Sequence, residues 1–327
     1  MKEKIPTSAL NNILQGFDLG TVREIKPLVT SGNIAYTVET GDKTYVFRLS
    51  PSGARWRSKQ EIDAELEIMD YLSKKKFPVS MSIIANNGNR IISWNKHFGY
   101  LREFIEAKPK LDPTIKEVKK FGELLGRFHN LVENYKTKNK RKHIWDLKET
   151  KKNFKQNKKI ILKSNFAQKK DFIKIFEKEI SQLNFPKDLP SGTIHEDLGK
   201  RHILWRGNEI VGVIDFDRSY YGRLILDFGQ ACRGWCFTDN WKKWSNKNFK
   251  ALLDGYQSKR KLTDLEKKYL TDSIRFGILE RSLSFCLRFI CVSKDVKDGE
   301  YAAYSVSENG PLGMVEKNRT EIEKLLK

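Results

Sequence analysis

The segment Thr193–Asp217 reads T-I-H-E-D-L-G-K-R-H-I-L-W-R-G-N-E-I-V-G-V-I-D-F-D, and it decides the fold of this chain. It contains two apolar runs, Ile203–Trp205 and Glu209–Ile214, that are rich in β-branched and aromatic residues. A Gly207-Asn208 pair separates them, and a short glycine-bearing connection between two such runs is typical of a β-hairpin. The rest of the chain is interpreted as the scaffold around this hairpin.

Acidic residues stand on both sides of the hairpin. Asp197, in the tripeptide His195-Glu196-Asp197, precedes the first run, and Asp215 and Asp217 follow the second. Because a hairpin brings its open ends together, we expect Asp197 and Asp215 to face one cavity. One carboxylate can act there as a base and the other as a metal ligand, which is what phosphoryl transfer needs. Taken singly, each aspartate could equally cap a turn or a helix.

Length and composition are those of an ordinary folded protein. The chain has 327 residues, of which 39% are hydrophobic and 11% aromatic, and this length suits about two domains. The first residues lack the apolar core of a signal peptide. No run reaches the roughly 18 apolar residues of a membrane span. We therefore expect a cytoplasmic protein without a membrane partner.

The four cysteines all stand in apolar, helix-like surroundings: Cys232, Cys236, Cys286 and Cys291. Their spacing does not match a zinc-ribbon pattern, and neither pair has a turn between its members. Free cysteine is among the residues most often buried in protein interiors. The sequence therefore predicts buried core thiols.

The net charge of +21 is concentrated in one part of the chain. Residues 131–170 carry 14 Lys and Arg against 3 Asp and Glu. One interpretation is an anionic partner such as nucleic acid. The other is the solvated face of amphipathic helices, and apolar residues recur through the stretch as that interpretation requires. We favour the second, so nucleic acid is not the expected partner.

The first third of the chain has the pattern of a small sheet with one helix. Alternating runs bounded by glycine and asparagine turns predict strands, and one apolar period near 3.6 predicts a helix. The predicted strands are Val22–Thr30, Ile34–Glu39, Thr44–Leu49, Met81–Ala85, Arg90–Trp94 and Phe98–Ile105, with the helix at Ser58–Lys75. Their order predicts an antiparallel sheet with one interposed helix.

The later chain is mostly helical. Its helical runs lie within 113–135, onward to about Leu183, and at Leu224–Trp235, Asn246–Tyr256 and Thr263–Ile290. The change of pattern predicts a domain boundary near residues 106–110, with an N-terminal lobe at 1–106 and a C-terminal lobe at 107–327. The predicted fold class is α+β, with a small antiparallel lobe and a larger, mostly helical one.

The motifs around the hairpin resemble those of the aminoglycoside phosphotransferase and choline kinase superfamily. That signature is H-G-D-x-x-x-x-N followed by I-D-F/W-[DE], and this chain has His195-Glu196-Asp197 and Ile214-Asp215-Phe216-Asp217. Within the superfamily, the chain is most similar to the homoserine kinase type II branch, on residues 16–20, 189–198, 212–216, 235–237 and 255–266. The resemblance implies a two-lobed protein-kinase-like fold with ATP and Mg²⁺ as cofactors.

The resemblance also implies a role for several residues. Asp197 would be the catalytic aspartate that receives or orients the hydroxyl proton, and Asp215 would hold Mg²⁺. Arg48 stands where the family has a phosphate-contacting lysine, with Glu65 as its partner on the helix; the two could also form a plain surface salt bridge. Asp227 would support the catalytic loop.

Three further residues complete the implied nucleotide site. Glu103 and Ile105 align with the hinge whose backbone would pair with adenine. Gly32, in the turn Ser31-Gly32-Asn33, could lie over a phosphate, although this tripeptide is equally typical of a simple hairpin turn.

His202 is the main departure from the family pattern. Five residues after Asp197 the family has asparagine as second metal ligand, and this chain has histidine. Imidazole is a poor first choice for Mg²⁺. Three interpretations stay open. His202 binds Mg²⁺ or Mn²⁺ weakly, an oxygen such as that of Asp217 replaces it, or the chain binds nucleotide without transferring phosphate.

The predicted function is that of an ATP-dependent kinase acting on a hydroxyl of a small metabolite, with a homoserine-like amino alcohol or a sugar as acceptor. The alternatives are a nucleotide-binding pseudokinase and an aminoglycoside kinase. Polycationic aminoglycosides are less expected, because the helices after the boundary are strongly basic. The motifs decide neither the acceptor, nor ATP against GTP, nor the oligomeric state.

Overall fold

The computed structural model describes residues 4–28, 30, 32–51, 57–139, 141, 143 and 145–327. The chain divides into two compact units. The first comprises Met1–Pro109, Thr137–Lys142 and Ile203–Asp217, and the second comprises Lys110–Lys136, His143–His202 and Arg218–Lys327. Both units are discontinuous in sequence, whereas the sequence suggested a single division between residues 106 and 107, and that boundary remains a prediction.

The regular elements are numbered in chain order. The strands within the described residues are β1 Val22–Pro27, β2 Ile34–Thr40, β3 Thr44–Leu49, β4 Ile92–Trp94, β5 His97–Glu103, β6 Lys108–Pro109, β7 Ser191–Ile194, β8 Ile203–Arg206, β9 Glu209–Val213, β10 Tyr220–Arg223, β11 Phe237–Thr238 and β12 Lys243–Trp244. The α-helices are α1 Thr7–Leu14, α2 Lys59–Lys74, α3 Ile115–Val132, α4 Leu147–Lys163, α5 Lys169–Gln182, α6 Leu224–Trp235, α7 Asn246–Gln257, α8 Asp264–Arg288, α9 Val296–Val306, α10 Pro311–Lys317 and α11 Arg319–Leu325.

The first unit is built on a five-stranded antiparallel sheet in the order β1-β2-β3-β5-β4. β3 is central, and five of its six residues are buried, since it has neighbours on both sides. α2 begins at Ser58 because that side chain accepts a hydrogen bond from the Glu61 backbone, while Glu61 caps the Ser58 N–H in return. The sheet and helix confirm the predicted α+β class with an antiparallel first part.

The opening hairpin forms as predicted and belongs to the first unit. β8 and β9 pair antiparallel, with Arg206 opposite Glu209 across a two-residue turn. Gly207 has a φ of 57°, a left-handed conformation that glycine adopts without a Cβ clash. β6 adds a third strand on the outer side of β8.

The predicted strand Met81–Ala85 is wrong. This segment lies along β5, where Ile83 donates to the Leu101 carbonyl at 2.8 Å and Ser82 forms an isolated bridge with Arg102. β4 already occupies the other half of that edge, so only a few residues can pair there. The predicted strand Val22–Thr30 ends at Pro27, and Val29 and Ser31 lie outside the described residues.

The second unit is mostly helical, and its α3–α7 pair packs unusually close. A Cβ on Gly122 would lie 2.3 Å from the Leu252 carbonyl oxygen, and one on Gly255 would lie 2.1 Å from the Lys119 oxygen. Both distances are shorter than any van der Waals contact, so these glycines permit the backbones to touch. The crossing also brings Tyr256 of α7 towards His129 of α3, at 2.8 Å between hydroxyl and Nδ1.

We therefore expect Gly255→Ala to destabilise the protein. The added methyl group forces α7 away from α3, a steric cost of about 1–3 kcal/mol that exceeds the gain of roughly 1 kcal/mol in helix propensity. Denaturant unfolding should show the lower stability. Gly41→Ala is the matched control, because a Cβ there would lie 3.6 Å from its nearest neighbour. Equal stability of the two variants would contradict the close crossing.

Short strands and aromatic packing complete the second unit. β7 pairs antiparallel with β10, from Ile194 opposite Tyr220 to Ser191 opposite Arg223. Phe121 of α3 stacks on Trp235 of α6 with ring centroids 3.9 Å apart. This stack joins the helix that follows the boundary to the helix that bears Asp227.

Three of the four cysteines are buried as predicted, Cys232, Cys236 and Cys286. The prediction for Cys291 is wrong, because that thiol is exposed. It lies in the π-helical turn Phe289–Ser293, whose wider winding breaks the face that α8 buries. Within the described residues, no helix combines the length and the apolar character that crossing a membrane requires.

Candidate active site

The loop that carries Asp197 follows β7 and is anchored by Asp227 of α6. The Asp227 carboxylate accepts hydrogen bonds from the backbone N–H of His195 at 3.0 Å and of Glu196 at 2.8 Å. His129 Nε2 lies 3.3 Å from the same carboxylate. Asp227 and His129 are both fully buried. Asp227 thus lies where a loop-supporting aspartate was expected, and His129 extends that support.

The Asp197 carboxylate forms a close ion pair with Arg281 of α8. Its Oδ1 lies 2.5 Å from Arg281 Nη2, and the Asp197 side chain keeps 19% of its surface exposed. Burial opposes ionisation, but the positive charge of Arg281, with help from His202, holds the pKa of Asp197 well below its usual range. The group is therefore an ionised carboxylate that can still reach solvent.

His202 holds the other side of the same loop. Its Nδ1 lies 2.6 Å from the Asp197 carbonyl oxygen. A carbonyl oxygen only accepts hydrogen bonds, so Nδ1 carries the proton, and in the neutral ring Nε2 has the lone pair. Any metal ligation by His202 would use Nε2.

Glu196 stands where the family signature has glycine. Its backbone has a conformation that glycine adopts most easily. Its φ is 68°, a left-handed conformation that costs most residues about 1 kcal/mol. The side chain is buried and accepts hydrogen bonds from Arg218 and, at 2.9 Å, from Gln230. Arg218 also bonds Glu280 at 2.8 Å. These contacts offset the backbone strain.

Three carboxyl groups share two guanidinium groups in this cluster, which consists of Glu196, Asp197, Glu280, Arg218 and Arg281. One carboxyl therefore has no cation of its own. Burial, together with the charge of Glu280, raises the pKa of Glu196 to about 8 despite Arg218. Glu196 is then protonated at neutral pH.

This proton makes stability depend on pH. Between pH 4.5 and about 8 the folded state keeps a proton on Glu196 that the unfolded chain releases, so stability should fall as pH rises through that window. Glu196→Gln, which mimics the protonated form, should not show this loss. The difference in melting temperature should grow in favour of Glu196→Gln from pH 5 to pH 8. The exposed Glu321→Gln should parallel the wild type, and parallel curves for Glu196→Gln would contradict the raised pKa.

In the first unit, Arg48 of β3 joins the two aspartates that follow the hairpin. Its Nη2 donates to Asp215 Oδ1 at 2.8 Å and to Asp217 Oδ2 at 2.9 Å. The two carboxylate oxygens thus converge on one point. Asp215 has a φ of 73°, and this left-handed turn directs both aspartates to the same side. Burial opposes the charge of Asp217, but Arg48 and Arg57 lower the pKa of its carboxyl.

The buried Glu65 of α2 organises the cations of this unit. Arg48 Nη1 lies 3.4 Å from Glu65 Oε1, Arg57 pairs with Oε2, and the Tyr100 hydroxyl donates to Oε1 at 2.7 Å. Burial opposes ionisation, yet Arg57 and Arg48 lower the pKa of Glu65. The Arg48–Glu65 pair is buried, so it is not the surface salt bridge that the sequence also allowed.

The turn that contains Gly32 contacts this cluster through the neighbouring residue, Asn33. Gly32 lies in a half-buried bend before β2. Asn33 accepts from Arg57 at 3.2 Å and donates to Asp217 at 3.4 Å. Arg141 donates to the Phe216 carbonyl at 3.1 Å. The turn and the D-x-D motif are thus in contact within one unit.

The two residues predicted to lie at the hinge, Glu103 and Ile105, differ in their hydrogen bonding. The Glu103 N–H donates to the Met81 carbonyl oxygen at 3.1 Å. The Glu103 carbonyl oxygen accepts from the Ser80 hydroxyl at 2.5 Å and from Arg102 Nη1 at 3.0 Å. The N–H of Ile105 has no hydrogen-bond acceptor within the described part of the chain. Of the predicted pair, Ile105 therefore has the backbone donor that remains for a ligand.

The predicted site residues therefore form two sets. Asp197 and His202 lie in the second unit, and Gly32, Arg48, Glu65, Glu103, Ile105 and Asp215 lie in the first. Among the residues that the structure describes, no three His, Cys, Asp or Glu side chains are arranged to hold a metal ion. A cation at the Asp215–Asp217 point would need further ligands from phosphate or water.

Sequence reasoning missed the residues that surround these carboxylates and share their hydrogen bonds and ion pairs. They are Arg57, Tyr100 and Arg141 in the first unit and Arg218, Gln230, Glu280 and Arg281 in the second. None stands in a local motif. The only available signal was that buried carboxylates need cationic partners.

The fold is of the protein-kinase-like class. The chain belongs to the phosphotransferase enzyme family, whose model matches residues 25–262. It is therefore an enzyme of a family of small-molecule kinases. The homoserine kinase of Zymomonas mobilis subsp. mobilis is 26% identical over 258 residues, which are 76% of either chain.

Solved structures share the fold at lower identity. A microcompartment-associated aminopropanol kinase has a TM-score of 0.72 at 17% identity, covering 98% of this chain and 100% of that chain. An amicoumacin kinase in complex with AMP-PNP, Ca²⁺ and Ami has a TM-score of 0.70 at 15% identity, covering 98% and 94%. These similarities confirm the predicted protein-kinase-like fold.

Proposed function

We propose that this chain transfers the γ-phosphate of ATP to a hydroxyl group of a small metabolite. The observation that carries the proposal is the Asp197 carboxylate, kept ionised by Arg281 in a loop that Asp227 anchors. A kinase of this class needs an acceptor oxygen close to the attacking hydroxyl. Asp197 supplies that oxygen.

Asp197 acts mainly by orientation. Its lowered pKa makes it a weak base, so it positions the hydroxyl and takes the proton late, as the new P–O bond forms. Phosphoryl transfer depends chiefly on positioning and charge neutralisation, so a weak base suffices. His202 and Asp227 hold the backbone of this loop and keep the carboxylate in place.

The nucleotide binds to residues of the first unit. Arg48, oriented by Glu65, contacts phosphate oxygens in a bidentate manner. Ile105 pairs with adenine through its backbone N–H, next to Glu103. Gly32 lies over a phosphate. The buried Arg48–Glu65 pair and the N–H of Ile105 support these assignments.

Asp215 and Asp217 suit a divalent cation. Two hard carboxylate oxygens that converge on one point are ligands that Mg²⁺ or Mn²⁺ accepts. A cation there would bridge phosphate oxygens and neutralise their charge. Arg48 now bonds both oxygens, so it must exchange them for phosphate oxygens when a cation takes its place. We thus assign the second ligand to Asp217, and ligation by His202 remains a prediction.

We propose a homoserine-like acceptor. The support is the 26% identity to a homoserine kinase over 258 residues and the excess of basic residues in 131–170, which disfavours polycations. Aminopropanol and aminoglycosides are acceptor alternatives that the same fold accommodates elsewhere.

An ADP-release assay tests the proposal. L-homoserine, 1-amino-2-propanol, simple sugars and an aminoglycoside are each offered with ATP, in Mg²⁺ and separately in Mn²⁺. We expect acceptor-dependent ADP release that is largest with a small hydroxylated metabolite. ADP release that is largest with the aminoglycoside would contradict the homoserine-like acceptor and indicate an aminoglycoside kinase. ATP binding without release in either metal would indicate a pseudokinase, and activity gained in His202→Asn would then identify His202 as the cause.

A further inference from the structure

Arg233, near the end of α6, is a buried guanidinium held only by neutral groups. It is 7% exposed. Its Nε donates to Gln230 Oε1 at 2.9 Å, and its Nη1 donates to the Tyr301 hydroxyl at 3.2 Å. The guanidinium carbon lies 4.9 Å from the ring centroid of Trp241. These contacts orient the charge but do not neutralise it.

The neighbouring arginines are directly paired with carboxylates, and Arg233 is not. Arg218 and Arg281 each pair with carboxylates of the Glu196 cluster. Within the described residues, no carboxylate lies at ion-pair distance from Arg233. A buried charge without a counter-charge is costly, so buried guanidinium groups are normally paired. Arg233 therefore has no directly paired carboxylate, although its charge acts on the nearby Asp197 and helps to lower the pKa of that carboxyl. Its guanidinium thus keeps the capacity to pair with an anionic ligand.

Arg233 lies beside the catalytic loop. The next residue, Gly234, packs so closely that a Cβ on it would lie 3.3 Å from the Gly199 Cα. Trp235 donates to the Leu198 carbonyl at 2.8 Å. Gln230, which holds Arg233, also bonds Glu196. The residues that follow Arg233 thus pack on Leu198 and Gly199, and its guanidinium is linked through Gln230 to Glu196, so Arg233 lies next to the loop that carries Asp197.

Aromatic side chains pack around Arg233. Trp241 belongs to a turn in which Asp239, Asn240 and Trp241 all have left-handed φ angles, between 51° and 70°. The Trp241 ring meets Tyr301 edge-on at 4.9 Å, and Tyr301 packs on Phe285 at 4.3 Å. A guanidinium already oriented by packed aromatic neighbours needs less ordering when it binds a ligand.

From this arrangement we infer that Arg233, oriented by Tyr301 and Trp241, binds a carboxylate carried by the acceptor and determines acceptor specificity. The inference rests on the proposed function, since it assigns part of the acceptor to the side of Asp197. It goes further by requiring an anionic group, which excludes neutral sugars and simple amino alcohols. Guanidinium binds carboxylate in a bidentate manner, which also fixes the orientation of the acceptor hydroxyl.

Paired acceptors that differ only in the carboxylate test this inference. The pairs are L-homoserine against homoserinol and D-glycerate against glycerol. We expect kcat/KM to favour the carboxylate member of the preferred pair by on the order of 100-fold. In Arg233→Gln this preference should shrink to within a few-fold, mainly through a higher KM. Arg319→Gln, an arginine of α11 outside the site, should keep the wild-type preference.

Two further measurements keep the inference testable. Tyr301→Phe removes one hydrogen bond to the guanidinium and should raise KM for the carboxylate acceptor without raising it for its neutral partner. If Arg233→Gln does not fold, the KM values of Tyr301→Phe decide whether Arg233 binds the carboxylate. Calorimetric titration of each acceptor in the presence of AMP-PNP measures the same preference without phosphate transfer.

The two proposals fail in different ways. Equal use of both members of each pair, or an unchanged preference in Arg233→Gln, overturns the role of Arg233 while the kinase proposal stands. Efficient phosphorylation of an acceptor that has no anionic group would also overturn the role of Arg233 and leave the kinase proposal standing. If no acceptor is phosphorylated, the kinase proposal fails, and the titrations still decide whether Arg233 selects a carboxylate.

Discussion

Asp197→Asn should lower kcat by about 1,000-fold or more, while KM for ATP changes only a few-fold. The amide has the size of the carboxylate but cannot accept the hydroxyl proton, and removal of a general base typically costs 10²–10⁴-fold. Arg281 also loses its ion partner at 2.5 Å, which weakens the position of the side chain. Steady-state kinetics with the preferred acceptor measures the loss.

A second aspartate provides the control for this experiment. Asp188 is exposed in the loop before β7, so Asp188→Asn should retain wild-type kinetics. The melting temperature of Asp197→Asn distinguishes a loss of chemistry from a loss of fold. A variant that keeps more than a tenth of the wild-type kcat would contradict the role of Asp197.

Arg48→Met should destabilise the protein by about 3–5 kcal/mol and remove its stabilisation by nucleotide. The change leaves the buried Glu65 and the carboxylates of Asp215 and Asp217 without a shared cation, and breaking a buried ion pair costs this much. It also removes the proposed phosphate contact. Denaturant unfolding gives the first effect, and the melting shift on adding Mg-ATP gives the second.

Arg23, on the outer strand β1, is the matched control for Arg48. It is exposed, so Arg23→Met should change stability by no more than about 0.5 kcal/mol and keep the nucleotide-dependent shift. A second variant, Arg48→Lys, keeps one charge but loses the fork that reaches three carboxylates, so its stability should be intermediate. Full stability in Arg48→Met would show that Arg57 and Arg141 alone neutralise the cluster.

Much of the fold was predictable because local signals are strong there. The helices α2 and α8 are preceded by the N-cap residues Ser58 and Thr263, whose side chains form capping boxes. The hairpin at residues 203–213 follows from its apolar runs and glycine turn. The strand predicted at residues 81–85 failed because only a few positions on the edge of β5 were left to pair with it. The short helices α9–α11 carry too few turns for periodicity to identify them.

The candidate site likewise contains residues that the sequence identified and residues that it did not. Asp197, Asp215, Arg48 and Glu65 were identified from motifs, because a family signature preserves spacing along the chain. Their partners were not identifiable. Arg48 and Asp215 are separated by 167 residues, and Asn33 and Asp217 by 184. Arg233 is a single arginine in an apolar helix, and only its neutral surroundings make it a candidate for acceptor binding.

By itself, the sequence determined the order of the elements, the hairpin at residues 203–213 and the aspartates on either side of it. Tertiary structure alone decided which cation pairs with each carboxylate, that Glu196 keeps a proton, and that Arg233 has no directly paired carboxylate. The physical reason is the separation along the chain over which each kind of interaction acts. Turn chemistry, capping and periodicity act over about ten residues. Burial and ion pairing depend on chain segments that meet only after folding.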